Sequence, residues 1–198
     1  MNVCWVTADR CYWSGTSRTL PAITGQGVAR YGGGMNEQRC PGCGAMTPRS
    51  SDPVHAYVPA SPGCWSLFCS LTEWMQSLGG GEGRTAAQWV VDSYMVQHAN
   101  SSERRNRQSV AVHLMSLCAS LEHQIPGDEL RSLLGAWTHH DYPEILPGPL
   151  DYDITVVQIV SAADSGRKEA VGAWATTVWE AWAQHHDVIR AWLTNSVG

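Results

Sequence analysis

Residues 40–65 read CPGCGAMTPRSSDPVHAYVPASPGCW, and the rest of the chain hangs from this stretch. Cys40, Cys43, His55 and Cys64 supply three thiols and one imidazole, with the first two in the C-x-x-C spacing of a metal knuckle. Zinc takes four such ligands tetrahedrally, and a site whose ligands all come from protein is closed and structural. Pro41, Gly42 and Gly44 let the backbone turn tightly around an ion, and Pro62 with Gly63 bends the chain just before the last thiol. The expectation is a structural zinc site made by Cys40, Cys43, His55 and Cys64. The seven cysteines are an odd number in a chain whose N-terminus shows no basic segment followed by an apolar one. Metal ligation fits that count better than a disulfide framework, and a cytoplasmic setting follows as an expectation.

Upstream, residues 1–34 carry little apolar pattern and end in the run YGGG. They read as a flexible or weakly docked extension. Met35, directly before NEQRCPGCG, is an alternative natural beginning for the metal-bearing unit. Residues 35–198 then form one domain, a knuckle plus a helical bundle.

Downstream, apolar residues recur at three- and four-residue spacing. Leu67, Phe68, Leu71, Trp74, Met75 and Leu78 mark a helix whose N-terminus carries Cys64, and GGGEG at 79–83 should stop it. TAAQWVVDSYMVQH (85–98) reads as a second helix, and 99–107 as a polar loop. QSVAVHLMSLCASLEH (108–123) is apolar nearly all round, the mark of a central, buried helix. A short helix over 127–137 leads to a proline-rich turn, Thr155 N-caps a helix through Ala163, and a last long helix spans 168–195. No strand pair stands out. The fold class expected is all-α, a helical bundle with a Cys3His zinc knuckle at its front.

A second constellation lies on the helices. Asp92, His98, His113, His185 and His186 interrupt faces that are otherwise apolar, and bundles build metal and cofactor sites from side chains on facing helices. Neutral imidazoles with a carboxylate suit a second divalent metal, or acid–base chemistry near neutral pH. Plainer roles compete at each position. A histidine on an apolar face is most often a hydrogen-bonded core residue, and His98, near a helix C-terminus, suits a cap. His185 and His186 point about 100° apart, so one of them at most faces a shared pocket. His123, His139 and His140 read as surface residues. Arg190, one turn past His186, suits a carboxylate partner or solvent.

CPGCGA (40–45), SPGCW (61–65), VDSYMVQH (91–98), QSVAVHL (108–114) and WEAWAQHHDVIRAW (179–192) together resemble a family of uncharacterised bacterial proteins, a domain of unknown function. The resemblance runs over residues 36–194 and implies that the motif cysteines and histidines belong to one design. It implies no activity, substrate or cofactor.

Net charge is −5, with only 13 Lys and Arg. That argues against a nucleic-acid partner, whose affinity rests on neutralising phosphates. No apolar run reaches membrane-spanning length, so no membrane is expected. Ten Trp, six Tyr and one Phe suit broad packing faces or a ring-lined pocket. Two function classes follow. One is a metal-dependent enzyme acting on a small molecule through the His/Asp cluster. The other is a non-enzymatic zinc-stabilised helical module that binds a protein or small ligand. A dithiol redox role for Cys40 and Cys43 ranks below both, because such motifs follow a strand in α/β folds and His55 and Cys64 would be left idle.

Overall fold

Packing around one central helix organises the molecule, seen here in a computed structural model that describes residues 36–196 apart from 101, 141, 143–147 and 149–150. The expected extension at 1–34, and Met35, lie outside the described residues. Seven α-helices follow a short hairpin: α1 Pro62–Ser77, α2 Gly80–Gln97, α3 Arg104–Leu121, α4 Gly127–Trp137, α5 Val156–Ser161, α6 Asp164–Ala181 and α7 His186–Ser196. The all-α bundle expected from the periodicity is the fold observed. α2 is the hub, packed against α3, α6, α4 and α1, while α7 closes on α3 and α5 on α1. Val90, Tyr94 and Met95 of α2, Leu114 and Leu117 of α3, and Val171 and Trp174 of α6 are at most 1% exposed and form its core. Burying one such side chain stabilises by roughly 1.5–3 kcal/mol.

The boundaries show where local signals mislead. α1 ends at Ser77, but the glycine run does not become a loop: Gly79 is the N-cap of α2 and Gly80–Gly83 form its first turn. Glycine is tolerated as an N-cap, and Gly83 sits so close to Leu78 that a Cβ would lie 3.0 Å from the leucine Cβ. α3 starts at Arg104, inside the expected polar loop, because the Glu103 carboxylate caps it by accepting from Asn106 N at 2.6 Å. Thr155 caps α5 as expected, with Gln158 completing a capping box.

The last helix is broken rather than continuous. Trp182 leaves helical geometry at φ −99°, ψ 15°, and a 3₁₀ turn over Ala183–His185 connects α6 to α7. The break lets the buried Trp182 indole donate to the Tyr152 hydroxyl at 3.2 Å and redirects α7 onto α3. At the front, β1 Glu37–Arg39 and β2 Met46–Pro48 pair antiparallel, with Gln38 opposite Thr47. Three-residue strands carry too little alternation to be read from sequence. No helix among the described residues is long and apolar enough to cross a membrane.

Candidate metal centre

The hairpin exists to present two thiols. Cys40 follows β1, and the turn back to β2 is closed by Cys40 N donating to Ala45 O at 2.8 Å and Gly44 N donating to Cys40 O at 3.0 Å. Gly44 takes φ 76°, a conformation open chiefly to glycine. Gly42 is needed for a different reason. A Cβ there would run into the imidazole of His98 and lie 2.7 Å from Pro59 O, so the knuckle reaches the helices only because this residue has no side chain.

Cys64 arrives from the other side, in the first turn of α1. Ser61 is the N-cap, its Oγ accepting from Cys64 N at 3.2 Å while sharing a 2.8 Å hydrogen bond with Thr47 Oγ1 of β2. One serine therefore caps the helix and ties it to the hairpin. Its own backbone N–H donates to Cys40 Sγ at 3.4 Å, a contact that favours thiolate.

The fourth donor comes from α2. His98 is the C-cap residue of that helix, and its Nδ1 lies 2.6 Å from Tyr94 O. A carbonyl only accepts, so Nδ1 carries a proton, and Nε2 is the ring nitrogen left to face the thiols. Nε2 points at the thiols, 3.3 Å from Cys40 Sγ and 3.4 Å from Cys64 Sγ, while Cys43 Sγ and Cys64 Sγ are 3.8 Å apart. The ring is stacked on Tyr94, which is in turn stacked on Phe68, both at 4.1 Å, and the Tyr94 hydroxyl donates to Cys64 Sγ at 3.7 Å. Cys40, Cys43, Cys64 and His98 are all at most 1% exposed, and none of the three thiols is in a disulfide.

The electrostatics suit a cation. Contacts from Cys43 and then Cys64 hold the Cys40 thiol far below the ordinary thiol range, while contacts with Cys40 and Cys43 push Cys64 far above it. Burial alone would lower the His98 imidazole, but the hydrogen bonds to Cys40 and Cys43 outweigh it and carry it up to about 9. Three sulfurs in contact cannot all ionise unaided, and a divalent ion removes that conflict. The donor spacings fit one. With bonds of about 2.3 Å to sulfur and about 2.0–2.1 Å to nitrogen, a tetrahedral zinc sets sulfur–sulfur edges near ~3.8 Å and sulfur–nitrogen edges near ~3.6 Å.

The observed donor cluster thus differs from the expected ligand set at one position. Cys40, Cys43 and Cys64 come together as expected, but the nitrogen beside them is that of His98, and His55 lies outside the cluster. His55 packs edge-on to Tyr57 at 4.3 Å and tilted against Trp65 at 5.4 Å. Its Nδ1 is buried without a hydrogen-bond partner among the described residues, and burial lowers its pKa. His98 drew only the signals of a helix cap and an interior histidine. Its place at the foot of α2, the helix against which Cys64-bearing α1 packs, was the available clue.

The other residues expected at an interior site divide into two places. Asp92 is fully buried, and its carboxylate accepts from Gln88 Nε2 (2.8 Å), Ser116 Oγ (2.7 Å) and His113 Nδ1 (2.7 Å). His185 and His186 sit at the α6–α7 junction. His185 Nε2 is buried and unpartnered among the described residues, and burial lowers its pKa. The His186 ring lies flat on Trp179 at 3.8 Å, with Nε2 2.9 Å from Trp179 O. Among the described residues, two groups of three or more His, Cys, Asp or Glu bring ligand atoms within 4.8 Å, and neither contains Asp92, His113, His185 or His186. The second group is Cys118, Glu122 and His123. Its Glu122 is already held by Arg190 at 2.7 and 2.8 Å and by Trp179 Nε1 at 3.2 Å, so of the two roles open to Arg190 the carboxylate partner is the one observed. A depression of about 320 Å³ is lined by Asp151, Tyr152, Asp153, Thr177, Glu180 and Ala181, and none of the expected catalytic residues borders it.

A profile described as a family of unknown function (DUF5946) matches residues 38–183, which takes in the hairpin and the helices through α6. No curated protein and no solved structure matches the chain.

Proposed function

The chain belongs to this family of unknown function, and from that premise we propose that Cys40, Cys43, Cys64 and His98 hold one zinc ion in a closed structural site. The protein is then a zinc-stapled helical module that presents its bundle to a protein or small-molecule partner. One observation carries this reading: three sulfurs and one imidazole nitrogen, all buried, lie within 4.8 Å of one another, and the separations of 3.3, 3.4 and 3.8 Å are close to those of a tetrahedral ion's ligands. A catalytic zinc keeps an open position, and a structural one does not. Bound there, zinc would supply cross-linking of hairpin, α1 and α2. The Ser61 backbone N–H and the Tyr94 hydroxyl would each stabilise charge on one sulfur, and Tyr94 O orients the imidazole through Nδ1.

The test is elemental analysis of purified protein followed by chelation. One zinc per chain, and a lowered melting temperature after verified metal removal, are expected. An unchanged melting curve in metal-free protein would refute a structural role.

A second reading is favoured by Asp92 and His113. A fully buried carboxylate fixes His113 with its proton on Nδ1, leaving Nε2 as a base on a ring whose side chain is 14% exposed. This is the arrangement of an oriented general base, and it supports an enzyme acting on a small molecule. Screening turnover of small hydrolysable and dehydratable substrates with wild-type protein and with His113→Gln distinguishes the readings. Turnover lost in a folded His113→Gln supports the enzyme, and turnover unaffected by that change removes this residue from the chemistry.

A further inference from the structure

Asn106 drew no attention as a sequence position, in the basic segment just before the third helix, yet it is fully buried and every polar atom of its side chain is used. Its Nδ2 donates to His98 O at 2.9 Å and to Tyr57 O at 3.1 Å, and its Oδ1 accepts from Asn100 N at 2.5 Å. All three partners are main-chain atoms, and they belong to three different segments. Tyr57 lies on the loop between the knuckle and Cys64, His98 is the C-cap of α2, and Asn100 is on the turn into α3. From this geometry we infer that Asn106 is a positioning residue for the metal site, acting through His98. The inference rests on the reading of Cys40, Cys43, Cys64 and His98 as a zinc site.

Two degrees of freedom decide whether His98 Nε2 reaches the sulfurs. Rotation of the ring is set by its Nδ1 hydrogen bond to Tyr94 O and by the stack on Tyr94. Placement of its backbone is a separate matter, because the last carbonyls of a helix have no partner within the helix and that end frays. The Asn106 amide takes one of those carbonyls and, with the same nitrogen, holds the loop that leads to Cys64. It thereby fixes the imidazole-bearing segment against the thiol-bearing one. Without it, Tyr94 would still orient the ring, but the whole C-cap would drift relative to the knuckle. Partners behind a metal ligand change metal affinity by roughly 10–100-fold when removed, and this clamp is of that kind.

A merely structural role would lower stability without selectively weakening metal binding, and a neighbouring residue supplies the control. Gln108 on the same helix makes a matching clamp, donating to Tyr142 O at 3.0 Å and accepting from Tyr142 N at 2.9 Å, on a segment that carries no ligand of the cluster. Zinc affinity is measured on the full chain by competition with a chromophoric chelator, at conditions where circular dichroism shows equal helicity. Asn106→Ala should weaken zinc by about 10–100-fold, and Gln108→Ala should leave it within twofold. Asn106→Asp, which keeps the acceptor for Asn100 but loses both N–H bonds to carbonyls, should weaken zinc as Ala does, and it stands in should the alanine variant not fold. The cobalt-substituted protein should show altered visible bands in both Asn106 variants. Affinity within twofold of wild type in either Asn106 variant would overturn the inference, as would an equal loss in Gln108→Ala. Failure of wild-type protein to bind zinc would be a different result, since it removes the metal site itself.

Discussion

The hairpin end and the helical end of this molecule are held together by different forces. The bundle has a core of fully buried Leu, Val, Met and Trp side chains drawn from α2, α3 and α6. The front has two three-residue strands, prolines and turns, and among its few large apolar residues Met46 is 52% and Val54 41% exposed. What converges there instead is the donor set, delivered by the knuckle, α1 and α2. The contrast teaches that, on the proposed zinc reading, the front is folded by chemistry at one point, whereas the bundle is folded by area. Apparent zinc binding in small structural sites is on the order of 10–16 kcal/mol, comparable to the whole stability of a domain.

The largest expected effect breaks one side of that contrast only. Removing the metal, or replacing Cys64 by Ser, should expose the amides of 36–61 to fast hydrogen exchange while the central residues of α2 and α3 stay protected. Uniform loss of protection across the chain would mean that the two ends are one cooperative unit. Next in size is the polar centre of the bundle. Asp92→Ala leaves Gln88, His113 and Ser116 without their common acceptor, and urea melts should show a loss of about 3 kcal/mol. A loss much below 1 kcal/mol would show that the network is dispensable.

A smaller, pH-dependent effect comes from His185 and His55. Burial lowers the pKa of both, with His186 adding to the effect at His185. Each therefore binds its proton more readily when the chain unfolds. Below the unfolded value near ~6.5 the unfolded state carries more protons, so stability falls as pH drops, by at most about 1.4 kcal/mol per unit and group. Melts of wild type and His185→Gln at successive pH values should diverge between neutrality and acid, with the variant flatter. Parallel curves would contradict this. The smallest effect belongs to Arg190→Ala, which removes the exposed pair with Glu122 and should shift the melting temperature little.

How much could be read without coordinates differs in the same way between the two ends. Helices of the bundle were legible because a buried face repeats at three or four residues, and Thr155 was legible as a cap because the capping box is local. Local signals failed where tertiary contacts decide. The glycine run continues into α2, where Gly83 lies close against Leu78, and the turn at Trp182 is set by where α7 must go to meet α3. At the front, three of the four clustered donors were legible because cysteine at that spacing has few other uses. The fourth was not, since His55 is near in sequence and His98 near in space. Only the packing of α2 against α1, and a knuckle glycine small enough to admit the ring, separates them.

X-ray absorption at the zinc edge of the loaded protein tests the central claim most directly. Three sulfurs and one imidazole nitrogen should surround the metal, with the signal unchanged in His55→Gln and the imidazole contribution lost in His98→Gln. An imidazole signal that survives in His98→Gln and disappears in His55→Gln would contradict the account.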